Sequence, residues 1–152
     1  MKQALLAAII GTSILLASGT VAAQAKPEDV IKYRKAAMVV KAWDMRTMGA
    51  MVKGQMPYDQ AIFAKNAQTI AFIAQSEPEA YTAGSDKGAE TRVKPEVWSD
   101  AAGFKKTIET YQADAAKLAE VAKTATTVDQ VRGPFSALAK NCAACHDAYR
   151  TK

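Results

Sequence analysis

The sequence predicts an all-α protein, an antiparallel, up-and-down four-helix bundle. Three observations lead there. Four segments carry apolar residues at steps of three and four, the period of a one-sided helix. The connections between them run short, long and short, which lays successive helices side by side in alternating directions. Period-2 alternation and hairpin turn pairs are scarce, so no sheet pattern competes. Of 152 residues, 49% are apolar and 23% charged. That balance excludes a disordered chain, which needs low hydrophobicity and high net charge.

The first helix is expected from about Glu28 to Lys53. Pro27 suits a first helical turn, and Glu28 and Asp29 complement the positive end of the helix dipole. Ile31, Met38, Met45 and Val52 recur every seven residues, and Ala42, Met48 and Gly49 fill adjacent positions. Gly54 can stop this helix and Pro57 cannot continue it. Met45, Met48, Met51 and Met56 read as bundle core and surface.

The second helix is expected from about Tyr58 to Gln75, with Asp59 as N-cap and Ile62, Phe63, Ala67, Ile70 and Ile73 on one face. Residues 76–94 then carry Gly84, Ser85, Asp86 and Gly88, which is loop chemistry. A loop of that length in a compact domain is expected to wrap over something. A third helix follows from about Pro95 to Lys123, with Val97, Trp98, Ala101, Phe104, Ile108, Tyr111, Ala115 and Leu118 in step. The fourth runs from about Val128 to Arg150 behind a capping box of Thr127 and Gln130. Its stripe is Phe135, Leu138, Cys142, Cys145 and Tyr149. Gly133-Pro134 inside that pattern predicts a kink or a late start.

The N-terminus has a different character. Lys2 precedes a mostly apolar run from Ala4 to Leu16, and small residues follow at Val21-Ala22-Ala23 and Ala23-Gln24-Ala25. This is the pattern of a secretory signal peptide, residues 1–23, with cleavage after Ala23 favoured and Ala25 the other site. Gly11, Thr12 and Ser13 interrupt the run, leaving it short of a membrane span. The expected product is a soluble exported domain, residues 24–152, with no membrane span after cleavage and a bacterial periplasm as its destination. The formal charge is +5 with scattered lysines. Together with export, this argues against a nucleic-acid partner.

The chemistry concentrates at Cys142-Ala143-Ala144-Cys145-His146, which holds both cysteines and the single histidine of the chain. C-x-x-C-H is the attachment sequence of c-type haem. Two thiols on one helical face add across two vinyl groups and form thioethers, and His146, one turn from Cys142, is the proximal iron ligand by position. A thioredoxin-like pair belongs at a helix start within βαβ structure. A zinc site needs four ligands, and the motif offers two Cys and one His. The cofactor expected is therefore one covalent haem c per chain.

With the motif near the C-terminus of a four-helix pattern, the chain resembles the class II cytochromes c, and specifically the cytochrome c′ family. KPEDVIKYRKAAM is similar to that family's first helix; KGQMPYDQA, SDKGAET and KPEVWSDAAGFK to its second-helix start, loop and third-helix start; and CAACHDAYR to its haem helix. The resemblance implies haem buried between helices near one end of the bundle, and a homodimer. It implies that Arg34 lies near the propionates and that Lys35 contacts the haem edge. It further implies that Glu90, Thr91 and Trp98 cover the haem and that Arg150 lies beside the proximal pocket.

Met38 matches the position facing the distal side of the iron. There it is either a steric plug over a five-coordinate, high-spin iron or a second axial ligand of a six-coordinate, low-spin one. The plug implies a gas-binding protein for NO and CO, with roles in NO handling or periplasmic electron transfer to redox partner proteins. The ligand implies an electron-transfer cytochrome. No distal His exists and the remaining distal residues read as apolar, so no catalytic residue is assigned and no enzyme is expected.

Overall fold

The computed structural model describes residues 25–152. The signal peptide read at residues 1–23 lies outside them. Within the described residues the helices are α1 (Pro27–Val52), α2 (Gln60–Ser76), α3 (Glu96–Ser99), α4 (Ala101–Ala122) and α5 (Val128–Tyr149). A 3₁₀ turn, Glu77–Tyr81, follows α2 directly. No described helix is long and apolar enough to cross a membrane.

The termini follow from local chemistry. Pro27 opens α1, with Glu28 and Asp29 in its first turn. The helix closes in a Schellman arrangement: Gln55 N–H donates to Ala50 O at 2.9 Å and Gly54 N–H to Met51 O at 3.0 Å, with Gly54 at φ +69°. Asp59 caps α2 by accepting from Ile62 N–H at 2.9 Å. Gln130 Oε1 accepts from Thr127 N–H at 3.0 Å and holds the start of α5. That helix begins at Val128 and runs through Pro134, so the late start did not occur. The missing proline donor costs one bond near the helix start, where the cap and the packing of Val131 and Leu138 hold the turn in place.

One expected helix divides in two. Asp100 adopts φ −111°, ψ 55° between α3 and α4. Its carboxylate accepts from Gly103 N–H at 3.1 Å and from the Tyr149 hydroxyl at 3.0 Å. A new helix start thereby replaces one continuous helix and ties α4 to the end of α5. A Cβ added at Gly103 would meet the Asp100 carboxylate, so a larger residue there would have to displace the cap.

The four long helices close a square in which α1 meets α2, α2 meets α4, α4 meets α5, and α5 meets α1 more sparsely. The main core gathers Met48, Met51, Phe63, Ala67, Ile70, Leu118, Val131 and Leu138. Each large apolar side chain buried there contributes about 1.5–3 kcal/mol. A second, smaller cluster joins Val97, Phe104, Ile108 and Tyr149. The buried face of α2 is Phe63, Ala67, Ile70 and Ala74, whereas Ile62 is exposed and Ile73 half-buried. The expected stripe was therefore rotated, since Ile62 lies a full helical step away from Phe63.

Asp100→Ala removes a cap and the Tyr149 acceptor together, and is expected to cost about 2 kcal/mol. Asp59→Ala removes a cap alone and should cost about 1 kcal/mol. Urea unfolding of the holoprotein, followed by circular dichroism, measures both.

Candidate functional site

Two adjoining cavities lie between α1 and α5. The first, about 210 Å³, is bordered by Arg34, Met38, Thr91, Cys145, His146 and Arg150 among others. The second, about 240 Å³, is bordered by Met38, Lys41, Glu77, Tyr111, Cys142 and His146 among others. Met38, Cys145 and His146 belong to both, so the two are halves of one slot. Cys142, Cys145 and His146 are half-buried on the last two turns of α5. Met38 stands on α1, the opposite wall.

The donor set fits a covalently held haem. Both thiols are free and border a largely apolar slot. Burial pushes both thiols up, Cys145 to about 11, the reverse of the lowered value that marks a redox-active pair. Burial, helped by the Arg150 charge, pushes His146 down, so its ring is neutral at pH 7 and able to bind iron. Among the described residues, no group of three His, Cys, Asp or Glu side chains is placed to hold a bare metal ion.

Arg34 is 3% exposed and organises the loop. Its guanidinium donates to Ala80 O at 2.8 Å, Ser85 Oγ at 3.2 Å, Ser85 O at 2.9 Å and Thr91 Oγ1 at 2.9 Å. It also stacks 5.1 Å from the Tyr81 ring centroid. Arg34 therefore borders the slot with four of its donors already committed to the loop. Lys35 and Glu90 are exposed at the rim of the first cavity and Thr91 is half-buried there.

Trp98 lines neither half of the slot. Its indole N–H lies 3.2 Å from both Tyr81 O and Thr82 O, bracing the turn from outside. Arg150 ends α5 at the rim and pairs with Val93 in an isolated antiparallel bridge. Lys94 Nζ, donating to Asp147 O at 2.9 Å and Ala148 O at 3.2 Å, fastens the returning loop to the same helix end.

The wall around Met38 is more polar than its sequence suggests. Lys41, one turn beyond Met38, is buried and bonds Glu77 Oε2 at 2.5 Å. The Tyr81 hydroxyl donates to Glu77 Oε1 at 3.2 Å. Lys41 Nζ also lies 5.1 Å from the Tyr111 ring centroid. The Tyr111 hydroxyl and Asn141 Oδ1 are buried without a hydrogen-bond partner, although such an orphan costs about 1–3 kcal/mol. Sequence reasoning missed Lys41, Glu77 and Tyr81. The only signal for Lys41 was a cation three residues after Met38, on the same helical face.

A buried pair is held by mutual need. Glu77→Leu, which strands the Lys41 ammonium, is expected to destabilise by about 3–5 kcal/mol, and adding Lys41→Met should restore most of that. Denaturant midpoints of the single and double variants test this.

Comparison with known proteins places the slot in context. The family model described as Cytochrome C′ matches residues 29–150. A cytochrome c′ of Alcaligenes xylosoxydans xylosoxydans is 38% identical over 128 residues, 84% of this chain and 98% of the relative. The structure of cytochrome c prime from Shewanella frigidimarina superposes with a TM-score of 0.78 at 36% identity, covering 84% of this chain and 98% of that one. Variants of cytochrome c prime from Alcaligenes xylosoxidans, both with a TM-score of 0.76 and covering 84% of this chain and 98% of theirs, are solved with bound NO at 36% identity and with bound carbon monoxide at 37%.

Proposed function

Because this chain belongs to the cytochrome c′ family, whose members bind haem c covalently, we propose that it is an exported, periplasmic haem protein that binds NO and CO at a five-coordinate iron. Its role on this reading is NO handling, electron exchange with redox partner proteins, or both, and not catalysis. The observation that carries the reading is the largely apolar slot bordered by both thiols, His146 and Met38. The NO- and CO-bound relatives support it.

In this reading Cys142 and Cys145 would hold the group through two thioethers, and His146 would supply a nitrogen to its iron. When bound, haem supplies an iron that takes a diatomic ligand or exchanges one electron. Met38, a flexible apolar side chain on the wall opposite His146, would fill the space over the iron and exclude larger ligands. Lys35 at the rim, with the charge of Arg34 behind it, would receive the propionates. Thr91 and Glu90 close the loop side, while Trp98 acts indirectly by bracing that loop. Arg150, at the rim with His146, would lie beside the proximal pocket.

A plug whose displacement costs about 1.4 kcal/mol slows association tenfold. Met38→Ala is therefore expected to speed CO binding by about tenfold or more, measured by stopped flow. High-spin ferric and ferrous spectra of the wild type are the companion result. Low-spin spectra that resist CO would overturn the reading and make Met38 the second axial ligand of an electron carrier.

The homodimer is proposed on a separate observation. Val39 (70% exposed), Trp43 (66%) and Phe72 (80%) are large apolar side chains on the outer surfaces of α1 and α2. Val39 and Trp43 stand four residues apart on one face of α1, and exposed apolar side chains of this size are a common site of isologous pairing. Trp43→Glu combined with Phe72→Glu is expected to halve the mass seen by sedimentation while leaving the haem spectrum unchanged.

A further inference from the structure

The Tyr111 hydroxyl is a hydrogen-bond donor that the site as described leaves unused. It belongs to a side chain only 6% exposed, borders the second half of the slot and has no hydrogen-bond partner. Its surroundings explain why. Both oxygens of the neighbouring Glu77 carboxylate are engaged, one by Lys41 and one by Tyr81. Lys41 itself lies over the face of the Tyr111 ring, and an ammonium can only donate.

The packing stripe of α4 asks for a ring at this position and gives no reason for a hydroxyl on it. Buried phenols without partners are rare in folded proteins. Burial, reinforced by the nearby Glu77 charge, pushes this phenol up, so it keeps its proton and serves as a donor. Met38 and Tyr111 border the same half of the slot, so the phenol and the thioether share one cavity.

We infer that Tyr111 donates a hydrogen bond to the outer atom of a diatomic ligand bound at the iron. The polar contact that a distal histidine would otherwise provide comes here from α4. This inference rests on the open sixth position proposed above. It adds selectivity: ligands that gather negative charge on their outer atom are held longer than a purely apolar pocket would hold them.

The test uses the ferrous CO adduct of the holoprotein, read by infrared spectroscopy. In the wild type the C–O stretch is expected to lie below that of Tyr111→Phe and to move when the protein is exchanged into D₂O, while the variant's stretch does not move. CO should leave the variant roughly fivefold faster, the loss of one hydrogen bond. The substitution keeps the ring, and the isotope measurement on the wild type needs no variant. A CO adduct with the same stretch in both proteins and no isotope shift would overturn this inference and leave the gas-binding reading intact. Failure to form any CO adduct would overturn both.

Discussion

A four-helix bundle that admits a large flat group between two of its helices cannot close its core along its whole length. That constraint organises the molecule. Near the C-terminus of α1, Met48, Met51, Phe63, Leu118 and Leu138 fill the interior. Towards the other end, α1 and α5 stand apart and the slot opens between Met38 and the Cys142–His146 motif. Apolar burial at one end thus offsets what is left open at the other. The haem-binding face is formed by helices that are anchored elsewhere.

The open end is stiffened by charge. Arg34 draws Ala80, Ser85 and Thr91 onto α1, and Lys41 draws Glu77 onto the same helix. Both cations come from α1, and both reach the segment between α2 and α3. Desolvating such groups is expensive, and the cost is offset by the acceptors around Arg34 and by the Glu77 carboxylate on Lys41. A long loop is thereby fixed against the slot without an apolar core of its own. Its far end is fastened by the bridge from Val93 to Arg150 and by Lys94 on the last carbonyls of α5.

The same network changes the chemistry expected inside. A slot walled by methionine and alanine alone would discriminate ligands by size. With Lys41 and Glu77 paired beside Met38 and the Tyr111 hydroxyl unclaimed, the wall also has polarity. The unpartnered Tyr111 hydroxyl contrasts with the fully engaged carboxylate next to it.

The sequence by itself determined what is local. Helical period, Gly54, Asp59 and the Thr127–Gln130 box locate α1, α2 and α5, because each depends on residues within a turn or two. The Cys142-x-x-Cys145-His146 motif was equally legible, because its spacing is a property of one helix. Contacts between distant segments were decided by the tertiary structure alone. Asp100 breaks a helix because Tyr149, 49 residues away, shares its carboxylate. Ile62 faces outward because the packing of α4 against α2 selects the neighbouring face. Trp98 braces a turn from outside the slot, and a lysine, a glutamate and two tyrosines meet beside Met38. Period and propensity describe one segment at a time, whereas burial and ion pairing depend on which segments are brought together.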